Sequence, residues 1–405
     1  MHSPRQRARR TRRTAALSTL TATLIALSAC GSDDSDDSGE PAASEPSQTP
    51  AASVANPIVV TYDGGLYVID GETYEIAEDI PLDGFNRLNA AGDDRHVMVS
   101  TSAGFRVLDA AGAALTDVQF EGAEPGHVVR HAGRTVLFSD GTGEVTSFDP
   151  DHLGDGMPET ETYTAAAPHH GVAIELANGE LVVTLGTEEE RTGIIVLDEN
   201  REEIARNEDC PGVHGEATAQ DEAVVIGCED GVLIYRDGAI TKVDSPTEYG
   251  RVGNQAGTDA SPIVLGDYKQ DADAELERPE QISLIDTRTA TLTRVDLGTS
   301  YTFRSLARGP EGEALVLGTD GQIHVIDPES AEVVDTIPVI EEEWREPLEW
   351  QQPRPAIFVR DHTAYVTDPA AKELHAVDLE SGEVVNTVSL PEVPNELSGV
   401  VAQQH

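Results

Sequence analysis

From residue 57 onward the apolar positions fall in short runs rather than in helical stripes. An apolar run is followed by a turn of Asp and Gly, then by a second apolar run that usually closes on Asp. Tyr62-Asp63-Gly64-Gly65-Leu66-Tyr67-Val68-Ile69-Asp70, Phe138-Ser139-Asp140-Gly141 and Leu317-Gly318-Thr319-Asp320-Gly321-Gln322-Ile323-His324-Val325-Ile326-Asp327 show the theme. Such runs bounded by turn residues read as β-strands joined by tight connections. The second run closes at Asp70, Asp109, Asp149, Asp198, Arg236, Asp286, Asp327 and Asp378, with a mean spacing of 44 residues. Eight strand-built units of that length predict an all-β fold, a β-propeller of four-stranded blades. Eight blades is the first expectation; seven follows if the first and last units share one blade. An α-solenoid would need helical periodicity, which is absent. Residues 57–395 are expected to form the propeller and 396–405 a C-terminal tail, with Ile58-Val59-Val60 completing the blade of the last unit.

Charge and the N-terminus narrow the setting. The 405 residues carry 27 Lys and Arg against 74 Asp and Glu, a formal charge of −47. Phosphate binding needs clustered cations, so nucleic acid is excluded as a partner. Residues 1–29 read as an export signal: Arg5, Arg7, Arg9, Arg10, Arg12 and Arg13 precede an apolar stretch ending in Leu27-Ser28-Ala29-Cys30. That ending resembles a lipobox, which makes Cys30 the lipid-bearing residue. The chain is then exported and anchored by lipid to the outer face of the cytoplasmic membrane, touching the membrane through that anchor only. Residues 30–56, rich in Ser, Asp, Glu, Pro and Ala, form an acidic tether with little to bury. A monomer is expected.

The repeat also says which side chains meet. The innermost strand of a blade starts at one mouth of the central channel, and counting back from the second strand places Arg87, His127, His170, His214, Arg251, Arg304 and Arg354 at equivalent positions. Three consecutive blades thus offer an imidazole at one height, and zinc accepts neutral imidazole nitrogens in such sets. The competing reading is that rim histidines merely hydrogen-bond loops. For a fourth ligand three candidates stay open: His169, which points the opposite way in an extended segment; Glu216, which shares the face of His214; and an acid from a loop. His324 and His375 recur in third strands and read as structural. Cys210 and Cys228 come close if the strand from His214 pairs with the one ending at Cys228. A disulfide fits that geometry and an oxidising exterior, with thiolate ligation of the metal as the alternative. The loops Asp267 to Glu280 and Glu341 to Pro355, the latter with Trp344 and Trp350, emerge at the same mouth.

The strings His169-His170-Gly171-Val172-Ala173, Cys210-Pro211-Gly212-Val213-His214-Gly215-Glu216-Ala217 and Gly227-Cys228-Glu229-Asp230-Gly231-Val232 resemble those of the AztD-type zinc metallochaperones. The resemblance covers about residues 57–390. It implies an extracytoplasmic propeller that holds Zn2+ and hands it to the solute-binding protein of a zinc ABC transporter. By position it implies His127, His170 and His214 as zinc residues and Cys210–Cys228 as the disulfide. Members of that family carry a mobile N-terminal segment with His and Asp, whereas the tether here has aspartates only, which sets any capture role for it aside. The expected mechanism is ligand exchange, weakening as pH falls below about 6–6.5 because imidazole must be neutral to bind. Two rivals are a hydrolase or lyase that activates water at the rim metal, and a metal-free propeller whose arginine rim binds an acidic ligand.

Overall fold

The structure, a computed structural model, describes residues 53–401. The export signal, Cys30 and the tether as far as residue 52 lie outside the described residues, as do residues 402–405. The described chain is all-β apart from two short 3-10 turns, Pro150–Asp155 and Gln220–Glu222. Its strands form eight antiparallel sheets of four strands each. These are the eight blades of a β-propeller.

Within each blade the strands follow one another outward, and their burial follows their place. The second and third strands, such as Ala223–Cys228 and Gly231–Arg236, are buried almost throughout. Fourth strands such as Glu332–Pro338 and Glu383–Ser389 are mostly exposed and mix polar residues with exposed valines. Eight apolar clusters bind the ring, each bridging neighbouring blades. A blade has two apolar faces and cannot cover both alone, so every interface leans on the next until the ring closes. Each Val, Ile or Leu in these clusters contributes about 1.5–3 kcal/mol by leaving water.

Closure differs from the expectation in its direction. Leu397–Gly399 pairs with Ile58–Tyr62 and forms the innermost strand of the first blade. The C-terminal strand therefore completes the N-terminal blade, not the reverse, and the ring extends into residues assigned above to a tail. The reason is local: Glu396 N donates to Thr61 Oγ1 and Thr61 N to Glu396 O, which fixes the register of the joint. The other boundary also shifts. Val54 is buried among Leu88, Val97 and Leu108, and Ala55 N donates to Asp70 Oδ2 at 2.9 Å, so the end of the tether docks on the ring.

Candidate metal centre

Blades three, four and five bring His127, His170 and His214 together. His127 lies in the inner strand Pro125–His131 and His214 opens the inner strand His214–Ala219. His170 precedes the short strand Ala173–Glu175. Both strand histidines sit at β-bulges, which re-aim side chains. The register slips between Pro125 and Val128 and between His214 and Glu216. In the second bulge the extra residue is Gly215, whose φ of 72° suits glycine.

One nitrogen from each imidazole lies within 4.8 Å of the other two, the only such cluster of three potential metal ligands among the described residues. Ring centroids are 5.2 Å apart for His127 and His170, 5.4 Å for His127 and His214, and 5.0 Å for His170 and His214. The proton positions follow from the acceptors. His214 Nδ1 lies 2.5 Å from the carbonyl oxygen of Gly253, which can only accept, so Nδ1 carries the hydrogen. His170 Nδ1 faces Asp140 Oδ2 at 2.5 Å and donates to it. With both Nδ1 atoms committed, the Nε2 atoms of the two rings face each other across 3.0 Å. Around a tetrahedral zinc the ligand nitrogens would be roughly 3.3 Å apart.

The supports of these rings are built from turn residues. Asp140 sits just after the second strand of blade three and reaches across to blade four, where Gly171 N also donates to it. A Cβ on Gly126 would stand 2.2 Å from Asp140 Oδ1, so the glycine makes room for the carboxylate. Asp267 accepts from Gly253 N, Asn254 N and Asn254 Nδ2, holding in place the carbonyl that His214 uses. A carboxylate or carbonyl on the far nitrogen is the usual partner of a metal-bound imidazole.

Burial is the main cause that holds His127 well below the ordinary imidazole range, followed by the charges of His214, Arg87, His170 and Arg191. Burial likewise pushes His214 down to about 3. Both rings are thus kept in the form that binds metal. Glu216 Oε2 lies 3.9 Å from His127 Nδ1, on the far side of the bulge from His214. Burial pushes its carboxyl up to about 8.

His169 is not brought to the cluster. Its Nδ1 faces Ala167 O at 2.9 Å, its Nε2 faces Thr184 Oγ1 at 3.1 Å, and its ring packs edge-on against Phe138. At the bend before Ala173–Glu175 the two side chains diverge, His169 against Phe138 and His170 toward the other two imidazoles. Of the rim arginines, Arg354 and Arg304 are neutralised by Glu346 and Glu396, and both guanidiniums lie over the Phe303 ring. His324 and His375 are strand residues tied to Asp320 and Thr387. Cys210 and Cys228 form a buried disulfide with Cα atoms 4.9 Å apart, bracing the segment that leads into His214. Asp140, Asp267 and the carbonyl of Gly253 were missed in the sequence. Their signal was faint: a glycine adjoins each of the three histidines, as Gly126, Gly171 and Gly215.

No protein-family model matches the chain. In sequence it resembles the curated protein "Zinc chaperone AztD" of Citrobacter koseri, 24% identical over 304 residues, which cover 72% of this chain and 69% of that protein. In fold it resembles the apo structure of Citrobacter koseri AztD, with a TM-score of 0.74 and 21% identity, covering 86% of this chain and 98% of the other. A second AztD structure from the same organism gives 0.73 at the same identity and coverage. The dihydro-heme d1 dehydrogenase NirN shares the architecture at a TM-score of 0.58, with 15% identity over 86% of this chain and 76% of its own. The resemblance to AztD therefore extends through both sequence and fold. Among the described residues no helix is long and apolar enough to cross a membrane.

Proposed function

We propose that the protein is a zinc carrier that holds Zn2+ on His127, His170 and His214 and passes it to the solute-binding protein of a zinc ABC importer. The observation that carries the reading is the convergence of three imidazoles from consecutive blades, one nitrogen of each within 4.8 Å of the other two, with the Nδ1 atoms of His170 and His214 already committed to other partners. Such an arrangement offers a divalent metal three ligand nitrogens whose rings are already held in place. The name of the sequence relative, a zinc chaperone, agrees with it. Zinc is cargo here, so nothing is turned over: an acceptor docks on the mouth, supplies its own ligands, and the ion crosses without becoming free. Lipid attached at Cys30 would hold the carrier at the outer face of the cytoplasmic membrane beside the importer. Leu348 and Trp350, both exposed on the loop before the last blade, belong to the docking face. The loop is tied to the channel mouth, since Asn395 donates to Gln351 O and accepts from Arg304.

The test is a zinc titration of residues 31–405 with His127→Ala, His170→Ala and His214→Ala, followed by transfer to the candidate acceptor. One tight site is expected, greatly weakened in each variant, with zinc reaching the acceptor in the presence of a scavenging chelator. Affinity unchanged from the parent in the three variants would end the reading.

A further inference from the structure

The three blades that carry the imidazoles meet a second time, at the far end of their inner strands. In blade three the strand Pro125–His131 passes from His127 to His131. In blade five His214–Ala219 runs from His214 into the turn Gln220–Glu222. Between them, in blade four, the chain after His170 runs through Ala173–Glu175 and reaches Ala177. One atom joins all three: Glu222 Oε1 accepts from His131 Nε2 at 2.8 Å and from Ala177 N at 2.9 Å. An ionised carboxylate only accepts, so the His131 ring donates through Nε2.

Comparable side chains at this end of the ring reach one neighbouring blade. Thr135 Oγ1 donates to Ala91 O, from blade three to blade two, and Arg308 donates to Ala256 O and Ile263 O, from blade seven to blade six. Glu222 reaches two blades, bridging 91 residues to His131. Blade four depends on such a tie, because its inner strand has only three residues and His170 lies outside it. The turn is shaped to present this carboxylate. Asp221 and Glu222 both lie in the left-handed region, with φ of 61° and 55°, where glycine and asparagine are favoured. Arg236 Nη2 donates to Asp221 Oδ2 at 3.3 Å and steadies it. A glutamate in that conformation strains the backbone, and what it supplies is reach: asparagine suits the conformation but is one methylene shorter.

We propose that Glu222 is a positioning residue of the metal centre, tying blades three, four and five together and so setting the spacing at which His127, His170 and His214 converge. At ~3.3 Å per residue, His131 stands about 13 Å below His127, so the tie acts through the strands and touches no ligand. The consequence for zinc rests on the zinc reading; the tie itself does not. A metal that draws the rings together strengthens the tie, and breaking the tie weakens the metal's hold by the same factor.

The pair Glu222→Asn and Glu222→Gln tests this. Asn fits the left-handed backbone but falls short of both donors, whereas Gln restores the reach with its amide oxygen in place of Oε1. Deuterium exchange of the metal-free protein reads the tie. In Glu222→Asn, exchange should rise several-fold in residues 125–131 and 173–177 as well as in the turn, and in Glu222→Gln it should stay near the parent's rate. Chelator competition then reads the effect on zinc, with about fivefold weaker binding expected in Glu222→Asn and affinity within twofold of the parent in Glu222→Gln. A residue that only stabilised its own turn would change exchange in blade five and leave zinc affinity alone. Exchange unchanged in blades three and four, or Gln no better than Asn, overturns the tie. Faster exchange with zinc affinity unchanged from the parent overturns the positioning role. A parent that takes up no zinc while exchange responds as expected sinks the zinc reading and leaves the tie standing.

Discussion

Replacing Asp140 by Asn isolates what the carboxylate does for the centre. The substitution keeps shape and, with the amide oxygen turned to His170 Nδ1, now 2.5 Å from Oδ2, an acceptor there, while it removes the charge and replaces the oxygen that accepts from Gly171 N by an amide NH2. A hydrogen bond to a charged group is worth about 1.5–3 kcal/mol and a neutral one about 0.5–1.5. The difference, about 1.4 kcal/mol, corresponds to about a tenfold loss of zinc affinity. Losing the partner altogether, as in Asp140→Ala, should reach toward a hundredfold, the upper end for such supports. Competition against a chromogenic chelator measures the affinity, with near-UV circular dichroism to show that the ring is intact. Asp320→Asn is the internal control, since Asp320 occupies the same kind of Asp-Gly turn but serves His324, outside the cluster. If Asp140→Asn binds zinc within twofold of the parent, or if the control loses as much, the orienting role is refuted.

Other outcomes follow from the same geometry. His169→Ala should leave zinc affinity within about twofold. Because the ring is 2% exposed and bonded at both nitrogens, that variant should lose about 3 kcal/mol in urea unfolding. The double change Cys210→Ala with Cys228→Ala opens a bridge spanning 18 residues and should destabilise by about 3 kcal/mol. A drop in zinc affinity should accompany it, because His214 loses its brace; unchanged unfolding under oxidising conditions would refute the bond. For pH, burial lowers both His375 and His214 from 6.5, so the folded rings stay neutral where the unfolded chain takes up protons. Their contribution is present above pH 6.5 and is lost as pH falls, over a window that for His214 runs down to about 3. Glu216, raised to about 8, works in the opposite sense over the same range, so the check is a difference: between pH 7 and pH 5 the urea midpoint of metal-free His375→Gln should lose less than that of the parent, and an equal slope would count against that histidine.

The fold was legible because strand length and turn chemistry repeat along the chain, and a repeat period survives any error about single strands. The three histidines were legible for the same reason, as equivalent positions in consecutive blades. What stayed hidden was contact between blades. Nothing local in Ser139-Asp140-Gly141 says that its carboxylate meets a ring thirty residues later, and the same turn in blade seven meets a different histidine. His169 and His170 are alike as letters; only the side of the chain to which each points separates a core ring from a site ring. The direction of ring closure was hidden too, since either terminal run could have been the added strand.

That closure has a consequence for how the molecule comes into being. The strand that seals the first blade leaves the ribosome far behind its partner, with 335 residues between Glu396 and Thr61. Seven blades can gather in the order of synthesis while the first waits with its inner edge bare. Contacts so distant in sequence form slowly. The histidine-bearing blades are neighbours in the middle of the chain, so their geometry can be set before the seam is sealed.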